Sequence, residues 1–178
     1  MRYKILAINP GSTSTKIAVF ENHNQIFTHT LRHSNEELSQ FEKISDQYEF
    51  RKNAIVKTLH DNSIALDELS VIVGRGGLLR PIKSGVYEVN EKMVEDLKNG
   101  VSGEHASNLG GLIAANLAKE SGRCKAYIAD PVVVDELEPV ARISGHPLLP
   151  RVSIFHALNQ KAIAKMYANS EGQKYENL

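Results

Sequence analysis

The sequence predicts an α/β protein built on a mixed sheet. Three features carry that prediction. Three strand-like runs, 3–9, 15–21 and 25–33, follow one another through brief polar turns, the pattern of an antiparallel meander. After 35 the apolar period lengthens to that of a helix. Beyond 62, strand-like and helix-like segments alternate, which sets helices against a sheet.

Each element has its own local signal. "YKILAIN" and "TKIAVFE" are apolar runs separated by a short turn, so they pair as a hairpin, and "QIFTHTLRH" adds the third strand after Glu21-Asn22-His23-Asn24. Phe41, Ile44, Tyr48, Ile55 and Leu59 recur at helical spacing and predict helix through much of 35–62. "LSVIVG" (69–74) and "GVYEV" (85–89) are β-branched strands. Asn90 is placed to cap a helix over 91–98. Ala106, Leu109, Ile113 and Leu117 form one stripe of a helix from Glu104 to Glu120, ended by Ser121-Gly122. "KAYIAD" (125–130) is a strand closed by Pro131. Phe155, Leu158, Ala162 and Met166 mark a last helix.

Composition narrows the class. With 178 residues the chain is the size of one ordinary domain and can bury a core without staples. Lys and Arg number 21, as do Asp and Glu, and no basic run stands out. Nothing in that balance points to nucleic acid or an anionic membrane as partner. Cys124 is the single cysteine, which excludes an internal disulfide and a thiolate cage and suits a reducing cytosol. The apolar run at the start meets Asn9-Pro10-Gly11 too early for a signal peptide or a membrane span. The expectation is a soluble cytoplasmic protein.

Chemistry concentrates in five stretches. In "AINPGSTSTKIAVF", Pro10 holds Asn9 extended at a strand end. Gly11 permits a sharp turn and close approach of a ligand. Ser12, Thr13 and Ser14 then crowd hydroxyls and backbone N–H groups into one space that suits phosphate oxygens, with Lys16 in reach as a point charge. A strand follows instead of a helix, so this is not a Walker A loop. In "VGRGGLLRP", Arg75 projects from a strand end between glycines, a placement that suits a carboxylate or phosphate clamp. "SGEHASNLGGLIA" sets His105 at a helix start. Its interior Gly110-Gly111, each costing about 1 kcal/mol relative to Ala, calls for close packing on another backbone. "IADPVVVDE" delivers Asp130 at a strand's C-terminal edge, where α/β sites lie. "SIFHALNQ" sets His156 beside the last helix's apolar stripe. Each residue also has a structural alternative: a solvated turn lysine, an ion-paired arginine, a capping histidine or aspartate, a histidine at the core's edge.

Taken together and in order, the stretches resemble the acetate and butyrate kinase family, relatives of sugar kinases, actins and heat-shock chaperone ATPases. "INPGSTSTK" is similar to the family's first phosphate loop, with Asn9 where sugar kinases and actins carry Asp. "VGRGGLLRPI", "GEHASNLGGLIA", "ADPVVVDELEPVARISG" and "SIFHALNQKAIA" resemble the butyrate kinase branch. The resemblance spans essentially the whole chain.

The resemblance implies a ribonuclease H-like fold and an ATP-dependent phosphotransferase that converts a short-chain carboxylate, butyrate or a branched relative, into an acyl phosphate. It implies Mg²⁺ with ATP as co-substrate, and a homo-oligomer. By position, Asn9 lies near metal and phosphates, and Gly11, Ser12, Ser14 and Lys16 form the phosphate loop. Arg75 holds the substrate carboxylate and His105 lines the site. Asp130 is the essential aspartate, which serves the metal with Asn9, and His156 stabilises the phosphoryl group in flight. Family members carry a second domain of similar fold with the adenosine pocket. Residues 1–178 correspond to the N-terminal domain, so the chain by itself is expected to be inactive. The competing expectation is a non-catalytic module that binds phosphate or a partner protein. A sugar kinase or chaperone-type ATPase is disfavoured by Asn9 and Arg75.

Overall fold

The computed structural model describes residues 2–154 and 157–178. Strands β1 (Lys4–Pro10), β2 (Ser14–Glu21) and β3 (Asn24–Arg32) form the expected antiparallel meander. Then come a single turn α1 (Asn35–Leu38), helix α2 (Tyr48–Asp61), strands β4 (Val71–Arg75) and β5 (Val86–Glu88), and helices α3 (Glu91–Asn99) and α4 (Asn108–Ser121). Strand β6 (Lys125–Ala129) and helix α5 (Ala157–Ser170) complete the chain's main elements. The six strands make one mixed sheet in the order β3-β2-β1-β4-β6-β5. Within it β1, β4 and β6 run parallel, so their C-terminal ends share one edge.

Side-chain alternation gives the sheet two unlike faces. Leu6, Ile8, Ile17, Val19, Ile72 and Ile128 point to a covered face and are buried. There α4 lies across β1, β4 and β6, with α2 and α3 beside it. Leu109, Ile113 and Leu117, three of the four residues of the predicted stripe, are fully buried against these strands, and Ala106 is buried just ahead of the helix. The opposite face carries Ala7, Asn9, Lys16, Ala18, Val73 and Arg75, which are half-buried or exposed.

Glycine lets α4 come close. A Cβ on Gly74 would overlap the Gly110 carbonyl and lie 2.8 Å from Gly111 N, and one on Gly110 would overlap the Arg75 carbonyl. The helix and the end of β4 therefore touch backbone to backbone, which is the compensation the interior glycine pair required. The caps match their sequence signals. Asn90 Oδ1 accepts from Met93 N at 2.9 Å, and Gly122 closes α4 in the left-handed region at φ +66°.

Two boundaries and one helix face differ from expectation. The helical pattern over 35–62 is divided: Ser34 caps a single turn, and a 3₁₀ turn at Ile44–Gln47 leads into α2. Helix α4 begins at Asn108, because Ser107 N donates to His105 Nδ1 at 3.2 Å and holds 106–107 as a turn. Of the stripe predicted for α5, Phe155 lies outside the described residues and Leu158 is half-buried. Met166 and Ala162 are exposed, and among the described side chains of α5 only Ala168 is buried, because α5 packs chiefly on the C-terminal turn Tyr175–Asn177 rather than on the sheet. Apolar exposure concentrates in this region, with Leu148, Val140 and Ile143 the most open. Among the described residues no helix is long and apolar enough to cross a membrane.

Candidate functional site

The parallel strand ends supply the site. β1 delivers Asn9, β4 ends on Arg75, and Asp130 follows β6 directly. Lys16 stands opposite Asn9 in the β1–β2 register, so their side chains share a face. These four residues line one cleft of about 620 Å³ on the open face of the sheet, floored by Ala7, Ala18, Phe20 and Val73 and reached by Asn159 of α5. Ligands of α/β sheets bind at this edge, where strand ends leave side chains and loops free of the ladder.

Charge in the cleft is incompletely matched. Arg75 Nη2 lies 3.9 Å from Asp130 Oδ2, a loose ion pair in which both side chains keep solvent contact. Arg75 Nε is buried and has no hydrogen-bond partner among the described residues. A buried donor left open costs about 1–3 kcal/mol. Lys16 is exposed and makes no ion pair among the described residues. Asp130 has φ +50°, the left-handed region that aspartate tolerates better than most side chains. That conformation swings the chain out of β6 into Pro131 and leaves the carboxylate at the cleft.

The turn between β1 and β2 continues from the strand end that carries Asn9, but Gly11, Ser12 and Ser14 are not among the described residues that line the cleft. Gly11 N donates to Ser14 O at 2.7 Å and closes the turn. Ser12 is exposed and Ser14 half-buried. Gly11 is not in the left-handed region, and a Cβ there would meet Ser14 O at an ordinary 3.6 Å. The turn itself does not demand glycine, contrary to the conformational argument from sequence.

Other expectations land differently. His105 is not among the described residues that line this cleft. It borders a separate narrow gap with Ile44, Leu97 and Leu112, and its Nδ1 lies 2.8 Å from Ser107 Oγ at the entrance to α4. His156 lies outside the described residues. Sequence reasoning passed over Arg51, which is fully buried beneath the 10–15 turn. Its signal was present: an arginine at a stripe position between Tyr48 and Ile55, where an apolar residue belongs.

The donor set also limits the metal chemistry. No group of three or more His, Cys, Asp or Glu residues able to hold a metal occurs among the described residues. Asp130 with the Asn9 amide suits Mg²⁺, which takes one or two protein carboxylates and draws its other ligands from phosphates and water.

No protein-family model matches the sequence. Among curated proteins, the chain is 60% identical over 178 residues to Butyrate kinase 2 of Clostridium acetobutylicum, covering 100% of the chain and 50% of that protein. Butyrate kinase 1 of the same organism is 58% identical over 176 residues, which is 99% of the chain and 49% of that protein. A probable butyrate kinase of Clostridium botulinum is 56% identical over 178 residues, all of the chain and 50% of the relative. The chain thus spans about half the length of the curated relatives it matches. Among solved structures, Porphyromonas gingivalis acetate kinase superposes with a TM-score of 0.63 at 14% identity, over 97% of this chain and 50% of that one. Entamoeba histolytica acetate kinase gives 0.58 at 14% identity, over 94% and 46%. At that identity the structural likeness is one of fold, and it agrees with the mixed α/β sheet described above.

Proposed function

We propose, for a chain homologous along its whole length to the butyrate kinases, that it forms the N-terminal domain of a kinase that transfers the γ-phosphoryl group of ATP to a short-chain carboxylate. Butyrate or a branched relative is the proposed acceptor. The observation that carries this reading is the convergence of Asn9, Lys16, Arg75 and Asp130 on one cleft.

The chemistry needs no general base. A short-chain carboxylic acid has a pKa of about 4–5, like Glu, and is already ionised at neutral pH. The difficulty is to bring one anion up to a polyanion, which calls for charge neutralisation and alignment. Arg75 clamps the acceptor carboxylate through paired N–H donors. Lys16 and the N–H groups and hydroxyls of the turn, Ser12 and Ser14 among them, hold phosphate oxygens. Mg²⁺, when bound with the nucleotide, shields the phosphates. Asp130 and Asn9 would hold that ion or its water. By family resemblance His156 stabilises the phosphoryl group in transfer. The adenosine pocket would come from a second domain, in keeping with relatives about twice this length.

The test traps acyl phosphate as hydroxamate from MgATP and acetate, butyrate or isobutyrate. In the complete enzyme, Arg75→Ala should lower kcat/KM at least about a hundredfold, the loss of a charged clamp. Unchanged kinetics would remove Arg75 from the site. Turnover by this chain alone that vanishes in Arg75→Ala would show that one domain suffices. A second reading, a non-catalytic module that binds a partner protein, draws on the exposed apolar side chains of 140–154 and α5. Acyl-phosphate formation when the second half is added in trans would discard it.

A further inference from the structure

Arg51 is a buried cation without an anion. Its side chain is completely inaccessible. Nη1 donates to Gly11 O at 2.7 Å, Ser14 O at 3.0 Å and Thr15 Oγ1 at 3.1 Å. Nη2 donates to Ser12 O at 2.9 Å and Gln47 Oε1 at 2.8 Å, and Nε donates to the same Gln47 oxygen at 3.1 Å. Every acceptor is a neutral oxygen, and no carboxylate pairs with Arg51 among the described residues. Burial pulls its pKa down from the ordinary value. A guanidinium nonetheless stays protonated in proteins, so the charge persists. Such a charge is normally paired with a carboxylate. Here a glutamine occupies the place where a glutamate would neutralise it.

The contacts also orient the turn. A trans peptide unit is planar, and its C=O and N–H point opposite ways. With the Gly11 and Ser12 carbonyls drawn inward onto Arg51, the N–H groups of Ser12 and Thr13 face outward. Neither N–H makes a hydrogen bond among the described residues, and both residues are exposed. Two successive outward N–H groups above a buried positive charge form an anion seat.

We infer that Arg51 is the positioning residue of the 10–15 turn: it turns the Ser12 and Thr13 amides toward a phosphate and supplies an uncompensated charge beneath them. The inference rests on the phosphate-binding reading of that turn. It makes Gln47 a functional choice, because neutrality at 47 is what leaves the charge free.

The experiment measures binding of inorganic tripolyphosphate to this chain by titration calorimetry at low and moderate ionic strength. Gln47→Glu keeps the shape and the hydrogen bonds but pairs the guanidinium. It should weaken binding about tenfold and flatten its salt dependence while the thermal midpoint holds or rises. A structural role alone would leave affinity and salt dependence as in wild type, and that result overturns the inference. Arg51→Lys keeps the charge and loses the fork. It should weaken binding about tenfold with salt dependence retained, which also serves should Gln47→Glu not fold. Wild-type affinity in Arg51→Lys overturns the orienting role. If the wild-type chain does not bind tripolyphosphate, the phosphate reading of the turn itself falls, and this inference with it. Wild-type binding with unaffected variants sinks the inference alone.

Discussion

The 10–15 turn leaves the end of β1, and β4 ends beside it on the cleft-lining Arg75, yet the two are held by opposite means. The turn is fixed from below by a buried arginine that satisfies its carbonyls. The β4 end is fixed by the absence of side chains, since Gly74 and Gly110 let α4 rest its backbone against the strand. Polar anchoring keeps the turn's outer surface free for a ligand. Steric anchoring holds the Arg75 backbone where no side chain could intervene. The first can be tuned by charge, whereas the second tolerates no added atom.

Gly74→Ala tests the steric anchor and should have the largest effect. The new methyl would overlap the Gly110 carbonyl, with only backbone to yield, so a loss of about 4 kcal/mol or failure to fold is expected. A urea midpoint near wild type would mean that α4 slides freely on β4. Arg51→Met should come next, at about 3 kcal/mol, because it strands the Gly11, Ser12 and Ser14 carbonyls that the guanidinium satisfies. A drop in the urea midpoint with unchanged slope would separate this from a change in the unfolded state.

A smaller effect should follow pH. His33 is buried beside the same anchor, with Nε2 3.0 Å from Thr15 Oγ1 and its ring edge-on to Phe50. Burial, and then the charge of Arg51, lower its pKa from the ordinary 6.5, with Glu37 opposing. The unfolded chain therefore takes up this proton more readily than the folded one. The His33 contribution is intact above about pH 6.5 and is lost as pH falls from there toward the lowered folded value. Thermal melts across that window should show the slope in wild type and a shallower one in His33→Gln. The smallest effect belongs to Gly11→Ala, within about 0.5 kcal/mol, since its Cβ meets only ordinary contacts. Set beside Gly74→Ala, it separates a glycine kept for the fold from one with no demand from the fold.

Much of this was legible in the chain. The meander, the Asn90 cap, the Gly122 stop and the arrival of Asp130 at a strand end follow from local pattern, because neighbouring residues decide them. Asn9, Lys16, Arg75 and Asp130 were visible as chemistry-bearing residues. Their common cleft depends on β1, β4 and β6 running parallel at one edge, which pairing across the sheet determines. His105 is not among the described residues lining the cleft, because its hydrogen bonds to Ser107 hold it in the segment ahead of α4, which starts only at Asn108. Helix α5 forms where its stripe marked it, but an apolar stripe states what a helix can bury and not whether a surface is there to receive it.

By itself the sequence determined the kinds and order of elements, the lone unpaired thiol, the balanced charge, and the residues able to grip anions, all of which depend on composition and spacing. Only the tertiary structure decided which of those residues share a cleft and what lies beneath the turn. Arg51 is 40 residues from Gly11, and no local rule tells an arginine on a helix stripe to bury its charge. The packed helix closes it off from water, and the carbonyls of a distant turn are the acceptors within its reach.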